Sequence, residues 1–219
     1  MVQKLKQKVM DGKEITKEEA MTLAEADLDE LCQAADEIRK HFCGNVFDIC
    51  SCINVKGGKC SEDCKFCPQS CFNDKVEVKP HTLIGSDQML EEAAYMAQKG
   101  VVRCDLVSSG RRLPKDDVRK IVQDIERIRK ETGIAVCCSF GLLDQEDCEM
   151  LRKAGITRLH NNLESSRTFF TGVCSSHSTD DKMATLRAAR AAGLTLCSGC
   201  LINLGESMED RIELALMER

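Results

Sequence analysis

From about residue 49 the chain alternates short apolar segments with amphipathic ones, and this alternation limits the possible fold more than any other feature. Candidate strands are Ile49–Val55, Val102–Ser108, Ile134–Phe140, Thr157–Glu164 and Leu194–Ile202. Candidate helices lie at Ser86–Lys99, Lys115–Thr132, Asp144–Ala154, Thr179–Ala192 and Ser207–Arg219. In the second helix Val118, Ile121, Val122, Ile125 and Ile128 recur at helical spacing on one face. Strands alternating with helices in this way predict a parallel α/β architecture. Residues 1–44 read as helices, with Thr16 and Glu19 forming a capping-box pair ahead of a run to Lys40. Five βα units are too few for a closed eight-stranded barrel, which takes about 250 residues. The sequence stops at Met217-Glu218-Arg219, inside a helical pattern without a cap. A small open α/β sheet ending here and the front portion of a longer barrel are the two readings, and the missing stop signal favours the second. The expected organisation is then an N-terminal helical segment, 1–44, followed over 45–219 by an incomplete parallel (β/α) barrel of TIM type.

Composition narrows the function. With 219 residues, 42% of them hydrophobic, the chain has enough material for one good core. A net charge of -5 argues against a nucleic-acid binder, which needs a basic face. No apolar run reaches the roughly 20 residues of a membrane helix, and the start, Met1-Val2-Gln3-Lys4-Leu5-Lys6, is charged where a signal peptide is apolar. A cytoplasmic protein is expected, where disulfides are rare and surplus cysteine suggests metal chemistry. The 15 cysteines are an odd number, which suits a disulfide framework poorly. Cys32 and Cys148, inside amphipathic helical stretches, read as small core residues.

Three cysteines stand apart. Cys60, Cys64 and Cys67 follow a C-x3-C-x2-C spacing, which fits three corners of a cubane [4Fe–4S] cluster. Such clusters ordinarily take four cysteines, so three thiolates leave one iron open to an amine and a carboxylate. A zinc site would want paired cysteines or histidines, and a second pair is hard to find. A closed electron-transfer cluster needs a fourth ligand, for which Cys52 or Cys71 would serve.

Side chains alternate across a strand, which sorts each candidate strand into two faces. In the fourth, Leu159 and Leu163 share a face suited to helices, while His160, Asn162 and Glu164 share the other, as expected of a solvated pocket. In the second strand Cys104 goes with Leu106, and Asp105 takes the opposite side. Only one of Cys137 and Cys138 can point inward. Cys197 shares a face with Gly199, and Cys200 takes the other.

The triplet, in the run Gly58-Lys59-Cys60-Ser61-Glu62-Asp63-Cys64-Lys65-Phe66-Cys67-Pro68-Gln69-Ser70, resembles the radical S-adenosylmethionine (radical SAM) motif. Together with Ser108-Ser109-Gly110-Arg111, Asn161-Asn162-Leu163-Glu164-Ser165-Ser166 and Leu196-Cys197-Ser198-Gly199, continuing to Leu204-Gly205-Glu206, it resembles the biotin synthase family from about Val46 onward. The resemblance implies a (β/α)8 barrel with a [4Fe–4S] cluster and SAM at its mouth. It also implies an auxiliary iron–sulfur cluster, [2Fe–2S] or a variant type, that donates sulfur. The implied reaction converts dethiobiotin to biotin: an electron from flavodoxin or ferredoxin cleaves SAM, and the resulting 5′-deoxyadenosyl radical takes hydrogen from the substrate. Family members are commonly homodimers.

Residue by residue, the resemblance assigns Cys60, Cys64 and Cys67 to the SAM cluster, with no catalytic residue beyond it. Asn162 and Glu164 fall at ribose-contacting positions, Asn162 also reaching the dethiobiotin ureido group, and Gly199 to Glu206 falls near the adenine. Cys137 and Cys197 match two of three auxiliary-cluster cysteines and so should face inward, leaving Cys138 and Cys200 toward helices. The third auxiliary position holds Asp105, with Cys104 one residue out of register. Glu164 stands for the usual Asp, His160 for a frequent Asn and Asn203 for an expected Gly. The family's arginine ligand has no counterpart within the chain. The competing readings are a radical SAM enzyme of the same branch without sulfur insertion, of mutase or hydrogenase-maturation type, and a non-catalytic iron–sulfur electron carrier. The inward pair Cys137 and Cys197 argues against the first, and the Asn162/Glu164 face against the second.

Overall fold

Five strands, β1 (Cys50–Lys56), β2 (Arg103–Ser108), β3 (Ala135–Ser139), β4 (Arg158–His160) and β5 (Thr195–Cys197), form one sheet in the order in which they occur in the chain. Every pairing is parallel. The intervening helices are α4 (Ser86–Gln98), α5 (Lys115–Thr132), α6 (Gln145–Lys153), α7 (Arg167–Val173) and α8 (Thr179–Ala191). Strands in sequential order with helical crossovers are the repeating unit of a (β/α) barrel, of which this sheet is an incomplete portion. The computed structural model describes residues 1–219 and divides into two units, 48–204 and a helical unit of 1–47 with 205–219.

Strand alternation explains the core of the larger unit. Ile53, Val55, Cys104, Leu106, Val136, Cys138 and Leu159 project from one face of the sheet into a cluster with the apolar stripes of α4, α5 and α6. Val118, Ile121, Ile125 and Ile128 supply the α5 stripe, each at most 1% exposed. A fully buried aliphatic side chain contributes about 1.5–3 kcal/mol. Cys104 lies in this cluster with its face-mate Leu106, Cys138 lies there as the resemblance implies, and Cys148 joins them from α6 as a small core residue. The other face is fixed by register: Cys52 pairs with Asp105, and Asp105 with Cys137.

The first three strands begin and end within two residues of expectation, but β4 and β5 have only three residues each. Polar side chains end them. Beyond His160 the Ser198 hydroxyl donates to the Asn161 carbonyl at 2.8 Å, and Glu164 turns into the left-handed region at φ 71. The hydroxyl takes a carbonyl that the ladder would otherwise use. The two segments still meet, with Glu164 N–H on the Gly199 carbonyl at 3.1 Å and Leu201 N–H on that of Glu164 at 2.9 Å. Cys200 lies past the end of β5 and is exposed rather than packed toward helices.

In the helical unit α1 (Val2–Met10), α2 (Lys17–Leu23) and α3 (Leu28–Cys43) accompany α9 (Met208–Glu218). The Thr16/Glu19 capping box is present. The run to Lys40 is broken after Leu23, because Asp27 caps a new helix by accepting Glu30 N–H at 2.9 Å. Cys32 is exposed, not buried; only Ala34 of α3 is buried. The apolar stripe of α3 is too narrow to reach Cys32.

Candidate functional site

The loops after β1, β2, β3 and β4 converge on one cavity of about 500 Å³. Cys60, Cys64 and Cys67 border it together with Ser109–Arg111, Gly141, Asn161 and Glu164. This is the C-terminal end of the strands, where parallel α/β folds keep their ligands. Gly58, at φ 72, turns the chain from β1 into the cysteine loop; a Cβ there would meet Pro80 Cα at 2.7 Å.

The cysteine loop is closed on itself. Cys60 N–H donates to the Gln69 carbonyl at 2.8 Å and Cys71 N–H to the Cys60 carbonyl at 2.9 Å. Ser70 Oγ donates to the Glu62 carbonyl at 2.7 Å. The loop is also tied to the connection between α7 and α8. Asp63 Oδ1 accepts the N–H groups of Ser175 at 2.9 Å and Ser176 at 3.0 Å. These bonds hold its carboxyl well below the usual range, the Ser175 side chain and backbone acting first. Phe66 packs with Phe170 and Val173 beneath the loop.

All three triplet cysteines are free thiols. Burial raises Cys60 and, more strongly, Cys64 above the ordinary thiol range. Neutral thiols around a cavity are suited to trading protons for iron, since a coordinating thiol is deprotonated outright. The donor set is soft and all-sulfur, the chemistry iron–sulfur clusters require, so the residues present fit a cluster. Of the alternative fourth ligands, Cys52 borders the same cavity, while Cys71 is exposed.

The strand-four residues divide differently from simple alternation. Glu164 and the neighbouring Asn161 line the cavity, and Asn161 Nδ2 donates to the Gly141 carbonyl at 3.1 Å. Asn162 does not line it; its Oδ1 lies 3.2 Å from where a Gly199 Cβ would stand. His160 Nδ1 instead meets Cys197 Sγ at 3.2 Å. The irregular backbone after β4 is the cause. Glu206 lies in the helical unit, where it accepts Arg211 Nε at 2.7 Å.

On the sheet face opposite the core, Asp105 and Cys137 are register partners. Ser139 Oγ donates to Asp105 Oδ2 at 2.7 Å, while Asp105 Oδ1 is buried with no well-aligned donor and only the Cys137 thiol beside it. Burial raises both the Asp105 carboxyl and the Cys137 thiol. Cys137 is inward, buried but outside the core cluster. Cys197 stands one pleat along, through the pairing of His160 with Cys197. A buried carboxylate oxygen short of donors next to a soft thiol is a fit for a bound metal group.

Sequence reasoning passed over Glu62, Arg111, His177 and Lys182, which also border the main cavity. Glu62 accepts Ser176 Oγ at 2.8 Å and His177 Nδ1 at 2.7 Å. Burial opposes its ionisation, but these bonds and Arg111 win and hold it below the usual carboxylate range. Lys182 Nζ donates to the Asn162 carbonyl at 2.9 Å. The short helix α7 was likewise missed, though Ser166 ahead of Phe169, Phe170 and Val173 is an N-cap before a helical apolar pattern.

Residues 54–217 match the radical SAM superfamily. Biotin synthase 2 of Corynebacterium diphtheriae is 50% identical over 218 residues, covering 100% of this chain and 66% of that protein. The biotin synthase of Brachyspira hyodysenteriae is 46% identical over 97% of this chain and 63% of its own. For that of Clostridium botulinum strain Hall the figures are 43%, 99% and 68%. The crystal structure of methylornithine synthase shares the fold with a TM-score of 0.83 at 24% identity, over 98% of this chain and 64% of that one. The chain therefore belongs to the radical SAM superfamily, and within it to the biotin synthase family. It spans about two thirds of the length of the curated relatives it matches. Membership of the superfamily implies a [4Fe–4S] cluster and SAM. No helix is long and apolar enough to cross a membrane.

Proposed function

We propose that this chain carries the cluster-binding and SAM-binding part of an enzyme that inserts sulfur into dethiobiotin to form biotin. The observation that carries the reading is the convergence of the Cys60, Cys64 and Cys67 thiols with Glu164 on one cavity at the strand ends. In this reading the three thiolates hold a [4Fe–4S] cluster with one iron open to SAM. When bound, the cluster and SAM supply electron transfer and hydrogen-atom abstraction that amino-acid side chains cannot provide.

The chain's own residues bind, orient and exclude. Glu164, Asn162 and Gly199 belong to the segments assigned to the nucleoside of SAM. Gly199 suits that task because it leaves the Asn162 amide room to lie against the backbone. Arg111 and Lys182 border the cavity as cations, suited to a carboxylate, and Glu62 as an anion, suited to an amine. Phe66, set in the apolar cluster under the loop, limits water beside the thiols. For Glu206 the expectation of a place near the adenine rests on the sequence alone.

Cys137, Cys197 and Asp105 are assigned to an auxiliary iron–sulfur cluster that donates sulfur. Their support is the shared sheet face and the buried Asp105 oxygen that lacks a well-aligned donor. The reading includes a reduced flavodoxin or ferredoxin as electron donor, a homodimer and a cytoplasmic location.

The test is metal stoichiometry. After anaerobic reconstitution, iron should exceed the four atoms of one cubane per chain. Cys137→Ala and Cys197→Ala should remove the excess and keep the first cluster. Iron content unchanged in both variants contradicts sulfur insertion and favours a radical SAM enzyme with a single cluster.

A further inference from the structure

A second group of ligating side chains sits beside the cysteine loop and shares only Cys64 with the chemistry above. Cys174 ends α7 and is buried. Its Sγ lies 3.7 Å from Cys64 Sγ and 3.3 Å and 4.0 Å from the two ring nitrogens of His177. The ligand atoms of Cys64, Cys174 and His177 all lie within 4.8 Å of one another.

We propose that Cys64, Cys174 and His177 form a site for a single divalent transition-metal ion of the zinc class, and that this ion and the [4Fe–4S] cluster exclude each other because both require Cys64. The spacing of the two sulfurs suits one tetrahedral ion. With metal–sulfur bonds of about 2.3 Å, two thiolates on one tetrahedral centre stand ~3.8 Å apart, close to the 3.7 Å between Cys64 and Cys174. Two thiolates and an imidazole are a ligand set zinc favours.

The surroundings prepare the imidazole. A carboxylate only accepts, so the 2.7 Å contact makes His177 Nδ1–H the donor to Glu62 Oε2. That fixes the tautomer and leaves Nε2 as the ring nitrogen with a free lone pair. It lies 4.0 Å from Cys174 Sγ against 3.3 Å for Nδ1, so a small turn of the ring would bring it to a metal in the usual carboxylate–histidine–metal arrangement. Both side chains of this pair are under 10% exposed. The Phe170 ring, 5.5 Å from that of His177, covers one side. Asp63 Oδ1, 3.2 Å from Cys174 Sγ, already accepts the N–H groups of Ser175 and Ser176, so it supports the thiol and leaves the fourth position to solvent. Binding releases the two thiol protons, and two thiolates cancel the charge of the dication. Arg111 and Lys182 nearby are therefore tolerated.

Binding of the single ion stands independently of the sulfur-insertion reading, whereas its exclusion of the cluster rests on the assignment of Cys64 to the triplet. The test is an anaerobic titration of the metal-free chain with cobalt(II). One equivalent should bind with the intense d–d and thiolate charge-transfer bands of a tetrahedral site. Cys174→Ser and His177→Gln should each weaken binding by at least about 10–100-fold, the loss that even a supporting partner brings, while Cys60→Ser and Cys67→Ser leave it unchanged. X-ray absorption on the cobalt-loaded wild type, which needs no variant to fold, should show two sulfur ligands. Iron and sulfide added to that form should build the cluster more slowly than in metal-free protein, and the delay should vanish in Cys174→Ser. Three sulfur ligands, loss of the signal in Cys60→Ser or Cys67→Ser, an octahedral spectrum, or cobalt retained through full cluster assembly would each overturn the proposal. Cobalt bound as expected in a chain that assembles no cluster would count against the radical SAM chemistry and leave the metal site standing.

Discussion

Asp63, between two cysteines of the triplet, accepts the backbone N–H of Ser175 at 2.9 Å from 112 residues away in sequence. Through that bond the connection between α7 and α8 holds the cysteine loop at the cavity rim. The acidic residue in the middle of the motif is thus a clamp.

Asp63→Ala should loosen the loop without touching a ligand to the cluster. Supporting bonds of this kind typically change metal affinity roughly 10–100-fold. Iron loss from the reconstituted chain to a chelator should accelerate accordingly, and Asp63→Asn should recover part of the effect. Unchanged iron loss in Asp63→Ala contradicts the clamp.

Asp144 caps α6 by accepting Asp147 N–H at 3.0 Å, and Lys115 and Arg112 stand near its other oxygen at 3.3 Å. The backbone bond is the main cause of a carboxyl pKa lowered from 3.8 to about 2, with burial opposing it. A depressed carboxyl pKa stabilises the folded state above the unfolded value, and the contribution fades as pH falls toward the folded one. Wild type should therefore lose stability between about pH 4 and pH 2 more steeply than Asp144→Ala. The variant should also be less stable near neutrality by about 1 kcal/mol, the usual loss for a cap. Parallel acid-unfolding curves for the two proteins contradict this role.

Gly141 stands at φ 77, and a Cβ on it would run into the carbonyl of Arg111. Both residues border the cavity. Gly141→Ala should destabilise the chain by at least about 1–3 kcal/mol, the scale of a single strained backbone position. The cavity wall should shift with it, which thermal unfolding and SAM binding measure separately. An unchanged melting temperature would show that the Arg111 loop yields at no cost.

Ile125→Ala, in the α5 stripe, should cost about 2–5 kcal/mol, whereas Cys32→Ser on exposed α3 should stay within ~0.5 kcal/mol. Denaturant unfolding of the two variants tests where the core lies. A large loss at Cys32 would restore the packed reading of that residue.

Much of this fold is legible in the chain because local pattern and global packing agree. In α5 the apolar spacing alone gives Lys115–Thr132, and in β2 and β3 the alternation separates Cys104 from Asp105 and Cys138 from Cys137. The side on which Cys137 and Cys138 fall comes from the family resemblance. Alternation fails where side chains replace ladder bonds: after His160 the Ser198 hydroxyl takes the Asn161 carbonyl and Glu164 turns left-handed. Asn161 therefore lines the cavity in place of Asn162. Partners joined only by the tertiary fold, such as Glu62 with His177 and Cys64 with Cys174, lie more than 100 positions apart and leave no local signal. Cys32 failed for a simpler reason: helical spacing says which residues share a face, not whether anything covers it.

The most direct measurement is electron paramagnetic resonance of the reduced, reconstituted chain with and without SAM. Three thiolates from Cys60, Cys64 and Cys67 leave one iron open, so SAM should shift the cluster signal, and Cys60→Ala, Cys64→Ala or Cys67→Ala should each abolish the cluster while Cys52→Ala and Cys71→Ala retain it. A signal indifferent to SAM, with the cluster lost on replacing Cys52 or Cys71, would mean a closed four-cysteine cluster and contradict the account.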